Sequence, residues 1–191
     1  MSIGNNLFGA WLCALGTGRH DAGEAGAYPG RMVTVRRAEH SDIPEIVRLK
    51  GLLMEDGWPW HIELDDAWRE RCAAAATTLL DSPNYACFVI DAEEGAGPGT
   101  PLASIVSTSV EQHLPGPDRS GRSAYLGDMS TDLVFRGRGY GKTLLDAALA
   151  WCREQDAGWV SLFSTESGHS LYRKAGFSPV GPFQHMSMGL D

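Results

Sequence analysis

This chain lacks paired cysteines, membrane-length apolar runs and any excess of basic charge. Its four cysteines, Cys13, Cys72, Cys87 and Cys152, are scattered with no Cys-x-x-Cys spacing. That excludes a disulfide framework and a zinc site, and it reads as the reduced thiols of a cytoplasmic protein with no metal. No apolar stretch approaches the roughly 20 residues that span a bilayer, so no membrane partner is expected. Lys and Arg number 16 against 24 Asp and Glu, a formal net charge of −8. Phosphate backbones reward dense Lys/Arg faces, so nucleic acid is not an expected partner; a cationic acceptor such as an amine suits the charge better. No Lys or Arg precedes Arg19, where a secretory signal would carry a basic n-region. There is no internal repeat.

What remains is an ordinary globular composition. The 191 residues are 43% hydrophobic and 21% charged, enough for one domain with a sizeable core. Residues 1–31 stand apart. They are rich in Gly and Ala, with Leu7, Phe8, Trp11 and Leu12 as their apolar cluster. Residues 16–30 read as a linker, so 1–31 are expected to form a flexible extension before a domain at 32–191. The alternative is an amphipathic segment that docks on a partner subunit. Within the domain, Val33–Ala38 reads as a first strand and Ser41–Glu45 as a capped helix start. Apolar spacing predicts helices over 42–54 and 64–80, the second followed by a turn at 81–84. Strands are expected at 85–91 and 102–110, separated from their neighbours by Gly/Pro loops at 94–101 and 114–121. A β-like stretch runs from Ser123 to Phe135, a strongly amphipathic helix from Lys142 to about Gln155, and short strands at 159–163 and 183–190 follow.

The most informative run is Arg136-Gly137-Arg138-Gly139-Tyr140-Gly141-Lys142-Thr143. Glycines at alternate positions let the backbone turn tightly at a helix N-terminus, where exposed N–H groups and the macrodipole favour an anion. Spacing separates the phosphate-binding loops. A P-loop needs a glycine where Arg136 stands, and a dinucleotide fingerprint needs one where Lys142 stands. The pattern that remains is Arg-x-x-Gly-x-Gly, on Arg136, Gly139 and Gly141. The plainer alternative is a glycine-rich turn with solvated arginines. A second motif follows, Leu171-Tyr172-Arg173-Lys174-Ala175-Gly176-Phe177, after the short strand Trp159–Phe163.

Together these resemble the GNAT acetyltransferase superfamily, whose pyrophosphate loop cradles coenzyme A and is followed by Tyr-x-x-x-Gly-Phe. The resemblance covers about residues 32–190 and is weakest between 60 and 122. Within the superfamily it looks most like bacterial small-molecule and uncharacterised members with a Thr-Asp-Pro-x-x-Arg lead-in; Thr131-Asp132 is present here, but Leu133 replaces the proline. It implies an α/β (α+β) fold with a central, mostly antiparallel mixed sheet of six to seven strands flanked by about four helices. It also implies transfer of an acetyl group from acetyl-CoA to a primary amine of a small molecule by direct attack. On this resemblance Arg136, Gly137, Arg138, Gly139, Tyr140, Gly141, Lys142 and Thr143 hold the pyrophosphate. The backbone of Met129, Ser130 and Thr131 takes the pantetheine arm and polarises the carbonyl; Thr165 is a further cofactor contact. Tyr172 matches the general acid that protonates the leaving thiolate.

The general base is where the chain departs from the family. The usual strand carboxylate falls at Tyr125. Asp128 is the nearest acid, and it should face opposite to Tyr125 unless a bulge intervenes. Glu111, His113 and Glu55, placed in the loop after the first helix, are the other candidates, and a water relay is also open. The acceptor pocket is expected across the sheet from coenzyme A, between that loop and residues 111–122. Trp58 and Trp60, beside Glu55 and Asp56, suit a cationic amine through cation–π and ionic contacts; alternatively one is core and the other its cover. Glu55, Trp58, Trp60, Glu111 and Tyr125 are the acceptor-site candidates. The rival functions are acetylation of a protein N-terminus or lysine, and a non-catalytic acyl-CoA-binding module. A homodimer is left open.

Overall fold

The computed structural model describes residues 33–57, 64–117 and 120–181. In chain order it builds β1 (Arg36–Arg37), a 3-10 turn (His40–Asp42), α1 (Ile43–Gly57), α2 (Asp66–Leu80), β2 (Tyr85–Asp91), β3 (Leu102–Gln112) and β4 (Arg122–Thr131). A second 3-10 turn (Leu133–Phe135), α3 (Tyr140–Glu154), β5 (Trp159–Ser161) and α4 (His169–Lys174) complete it. The strands form one sheet in the order β1-β2-β3-β4-β5. The first three pairings are antiparallel, and β4 with β5 is parallel, α3 providing the crossover. The expected mixed, mostly antiparallel sheet is thus present, with five strands among the described residues rather than six or seven. The strand expected at 183–190, the 1–31 segment, Trp58 and Trp60 lie outside the described residues.

Each face of the sheet has its own core. On one, Ile46 and Leu49 of α1 pack with Cys87, Val89, Leu102 and Ile105. On the other, Leu144, Leu145 and Ala148 of α3 pack with Val106, Leu126 and Tyr172. β3 is covered on both faces, and that accounts for the almost unbroken burial of its first nine residues. Thr108 on β3 shares a hydrogen bond with Cys152 on α3, 3.3 Å apart. Burial pushes the Cys87 thiol up to about 12. Leu144 and Leu145 of α3 are fully buried, each contributing roughly 2 kcal/mol; this stripe, more than helix propensity, holds α3 on the sheet.

Several boundaries differ from expectation. α1 runs on to Gly57, so Glu55 belongs to the helix and not to a following loop. The stretch 123–135 is a strand only to Thr131. There Asp132 caps a 3-10 turn by accepting from the Val134 N–H at 3.3 Å. α3 begins at Tyr140, two residues before the expected start.

The start of α1 is fixed by a buried ionic cluster. The Arg36 guanidinium donates to Asp42 at 2.7 and 3.0 Å and to Asp91 at 2.6 Å. Asp42 also accepts from the N–H groups of Glu39 at 2.8 Å and Gly99 at 2.9 Å. Burial alone would raise the Asp42 pKa, but Arg36 and these N–H donors outweigh it and hold the carboxyl below its usual range. Asp42→Asn should therefore cost about 2–4 kcal/mol at pH 7, less than a fully broken buried pair because Arg36 keeps Asp91. The folded pKa is depressed, so the wild-type advantage is present above the ordinary value near about 3.9 and is lost as pH falls through the lower folded value. Urea unfolding of both proteins at pH 7 and in acid tests this; equal midpoints at pH 7 would contradict it.

Candidate functional site

The site is organised by one irregularity in β4. Ser107 of β3 pairs with Gly127, but Ile105 pairs with Ser130, so Asp128 and Met129 together face Val106. This is a β-bulge, with one surplus residue on β4. Asp128 absorbs it at φ 44°, in the left-handed region that Asp and Asn tolerate best. The bulge resets the alternation of faces. Met129 joins the core beside α3. Asp128 turns to the α1 side, where it pairs with Lys50 and accepts from Ser107 Oγ at 3.1 Å. The bulge that would bring Asp128 to the Tyr125 side is therefore present. Burial and then the Asp128 charge raise the Tyr125 pKa.

β4 and β5 part just before the bulge. Their ladder ends at Tyr125 with Ser161, although β4 continues to Thr131. A cleft of about 370 Å³ opens there, lined by Met129, Ser130 and Thr131, by Arg136, Gly137, Gly139, Tyr140 and Gly141, and by Thr165 and Tyr172. The turn into α3 forms one wall. Gly139 caps the helix at φ 82°, with no side-chain cap and no acid in the first turn. A helix N-terminus of this kind presents N–H groups to an anion. Phe135 stacks on Tyr140 at 6.3 Å, and Arg138 lies over Phe135 at 5.0 Å, which braces the turn. Three of the loop residues face elsewhere. Arg138 donates to the Val134 carbonyl, Lys142 pairs with Asp146, and Thr143 donates back to the Gly139 carbonyl.

Tyr172 reaches the cleft from α4. Gly176 at φ 95° lets the chain turn back so that Phe177 donates its N–H to the Tyr172 carbonyl at 3.0 Å and packs edge-on against its ring at 5.9 Å. That gives the Tyr-x-x-x-Gly-Phe spacing a physical reason. The Tyr172 hydroxyl contacts Met129 Sδ at 3.5 Å. Burial, followed by the neighbouring Tyr125, raises its pKa, so it stays protonated at neutral pH.

The acetyltransferase (GNAT) family matches residues 46–177, more than half of the chain. The chain belongs to the GNAT family. It is an acetyl-CoA-dependent N-acetyltransferase. Three solved structures share the fold. A predicted acetyltransferase with acetyl-CoA from Clostridium acetobutylicum is 19% identical, with TM-score 0.67 over 82% of this chain and 96% of that one. Glucosamine-6-phosphate N-acetyltransferase from Arabidopsis thaliana is 20% identical, with TM-score 0.62 over 84% and 100%. An aminoglycoside antibiotic 6'-N-acetyltransferase from Acinetobacter baumannii is 10% identical, with TM-score 0.61 over 84% and 100%. No curated relative matches the chain by sequence.

Other candidate residues of this GNAT chain lie apart from the cleft. Glu55 lines a separate groove of about 230 Å³ between α1 and α2, with Arg48 and Trp68. Glu111 is 3.7 Å from His113, whose Nε2 is also 2.9 Å from Ser123 Oγ. Glu111 lies five positions along β3 from Val106 opposite the bulge, about 17 Å along the strand. Tyr125 rests on Phe163, ring centres 6.1 Å apart. Leu53, Asp56, Phe135, Ser167, Gly168 and Leu171 also line the cleft; of these, Leu171 opens the second motif, and Asp56, next to Glu55, pointed to the acceptor.

The bulge makes the Asp128 backbone matter more than its charge. Its pair with Lys50 is partly exposed and worth at most about 1 kcal/mol. Asp128→Asn should thus stay within about 1 kcal/mol of wild type, whereas Asp128→Val, β-branched in the left-handed region, should lose a further 1–2 kcal/mol, roughly. Urea unfolding that ranks the two equal would contradict this.

Proposed function

We propose that this enzyme acetylates the primary amine of a small molecule, with Tyr172 as general acid. The observation that carries the proposal is the Tyr172 hydroxyl, held protonated by burial in the same cleft as the loop and beside Met129 of the bulge. In this reading the loop and the first turn of α3 hold the pyrophosphate, Arg136 being the cation that lines the cleft. The pantetheine arm runs along β4 beyond its last β5 pair, on the backbone of Met129, Ser130 and Thr131, and an N–H of that stretch polarises the thioester carbonyl. Thr165, on a turn where its Oγ1 accepts from the Gly168 N–H at 3.3 Å, is a further contact.

The amine attacks from the α1 side. Its nitrogen bonds to the carbonyl carbon as the carbon–sulfur bond breaks. Asp128 takes the amine proton, being the carboxylate nearest Met129 along the strand, and Tyr172 gives its proton to the departing thiolate. Small-molecule acceptors are supported by the two relatives of the same fold named for glucosamine-6-phosphate and an aminoglycoside. Tyr125 on the Asp128 side of β4 and the carboxylates Glu55 and Glu111 remain acceptor-side candidates, with Trp58 and Trp60.

Thiol release from acetyl-CoA, measured across aminoglycosides, hexosamine phosphates, polyamines and peptide N-termini, tests the reading. Wild type should turn over a small amine faster than any peptide. Tyr172→Phe should keep the ring packing and a near-normal KM for acetyl-CoA while losing about two to four orders of magnitude in kcat. A loss under about threefold, about 0.7 kcal/mol, would make Tyr172 structural.

A further inference from the structure

Among the described residues that line the cleft, Asp56 is the one acid. Its place needs a reason, because a carboxylate beside an anion-binding turn opposes that turn's chemistry. Asp56 sits in the last turn of α1 and pairs with Arg136 Nη2. Arg136 is anchored from the other side, its Nε donating to the Thr131 carbonyl at 3.1 Å. The guanidinium is thereby fixed at the end of β4, with its Nη edge turned to Asp56. The other two loop cations do not share this contact: Arg138 is engaged with Val134 and Phe135, and Lys142 with Asp146. A diphosphate that accepts from Arg136 Nη2 therefore competes with Asp56 for it.

Magnitudes allow the exchange. Both side chains are about half exposed, 48% each, and such a pair holds weakly. A diphosphate brings more charge and can accept from the guanidinium and from the helix N–H groups together. We propose that Asp56 is a positioning residue that competes with the diphosphate of coenzyme A for Arg136, so that cofactor binding is coupled to the last turn of α1. This rests on the acetyl-CoA reading of the cleft. Asp56 thus lowers the affinity for coenzyme A, substrate and product alike.

The test is calorimetric titration of the full chain with coenzyme A and, separately, with pantetheine, which lacks the diphosphate. Asp56→Asn and Asp56→Ser should each bind coenzyme A about threefold to tenfold tighter, a gain that fades with added salt. Pantetheine binding should not change, and in an Arg136→Gln background the gain should vanish. A merely structural role would weaken both ligands together. Unchanged or weaker coenzyme A binding in both Asp56 variants would overturn the proposal, as would an equal gain for pantetheine. A wild-type protein that binds neither ligand would overturn the acetyl-CoA reading and the proposal with it.

Discussion

β4 has one residue more than β3 can pair, and the surplus is taken up at Asp128 in a left-handed backbone conformation. The proposed catalytic geometry depends on that. A regular ladder would send residue 128 to the α3 side and Met129 to the α1 side. With the bulge, Met129 meets Tyr172 and Leu126 over α3, and the Asp128 carboxylate meets Lys50 and Ser107 over α1. The two faces of one strand segment thus carry the two halves of the proposed proton traffic. The bulge also increases twist, just beyond the point where β5 leaves β4, along the part of β4 that lines the cleft.

The second constraint is electrostatic. The chain is acidic overall, yet the turn from Arg136 to Lys142 is basic. Two of its three cations are spent within the turn and its helix, one over Phe135 and one on Asp146. What faces the cleft is therefore the α3 terminus and Arg136, and Asp56 tempers the latter. The arrangement suits a diphosphate that must bind and then leave.

Local patterns were legible in the sequence, and features that depend on a distant partner were not. The Arg-x-x-Gly-x-Gly spacing, the α3 stripe and Tyr-x-x-x-Gly-Phe are read within a few residues, and each found its place. The bulge depends on the register against β3, which no short window contains. Leu133-Val134-Phe135 resembles strand continuation, but Asp132 caps it into a 3-10 turn that leaves Leu133 and Val134 exposed. The first strand shrank from 33–38 to two residues because its ladder with β2 is limited to Phe88 and Val89. Asp56 and Arg136 lie eighty residues apart in sequence, so their contact could not be anticipated.

The most direct test of the account is hydrogen–deuterium exchange of the full chain titrated with coenzyme A. If the bulge and the α3 turn hold the cofactor, backbone N–H groups in Met129–Thr131 and Gly137–Thr143 slow their exchange together, at one ligand concentration, while β2 is unaffected. Protection confined to the groove between α1 and α2, or no protection at saturating coenzyme A, would contradict it.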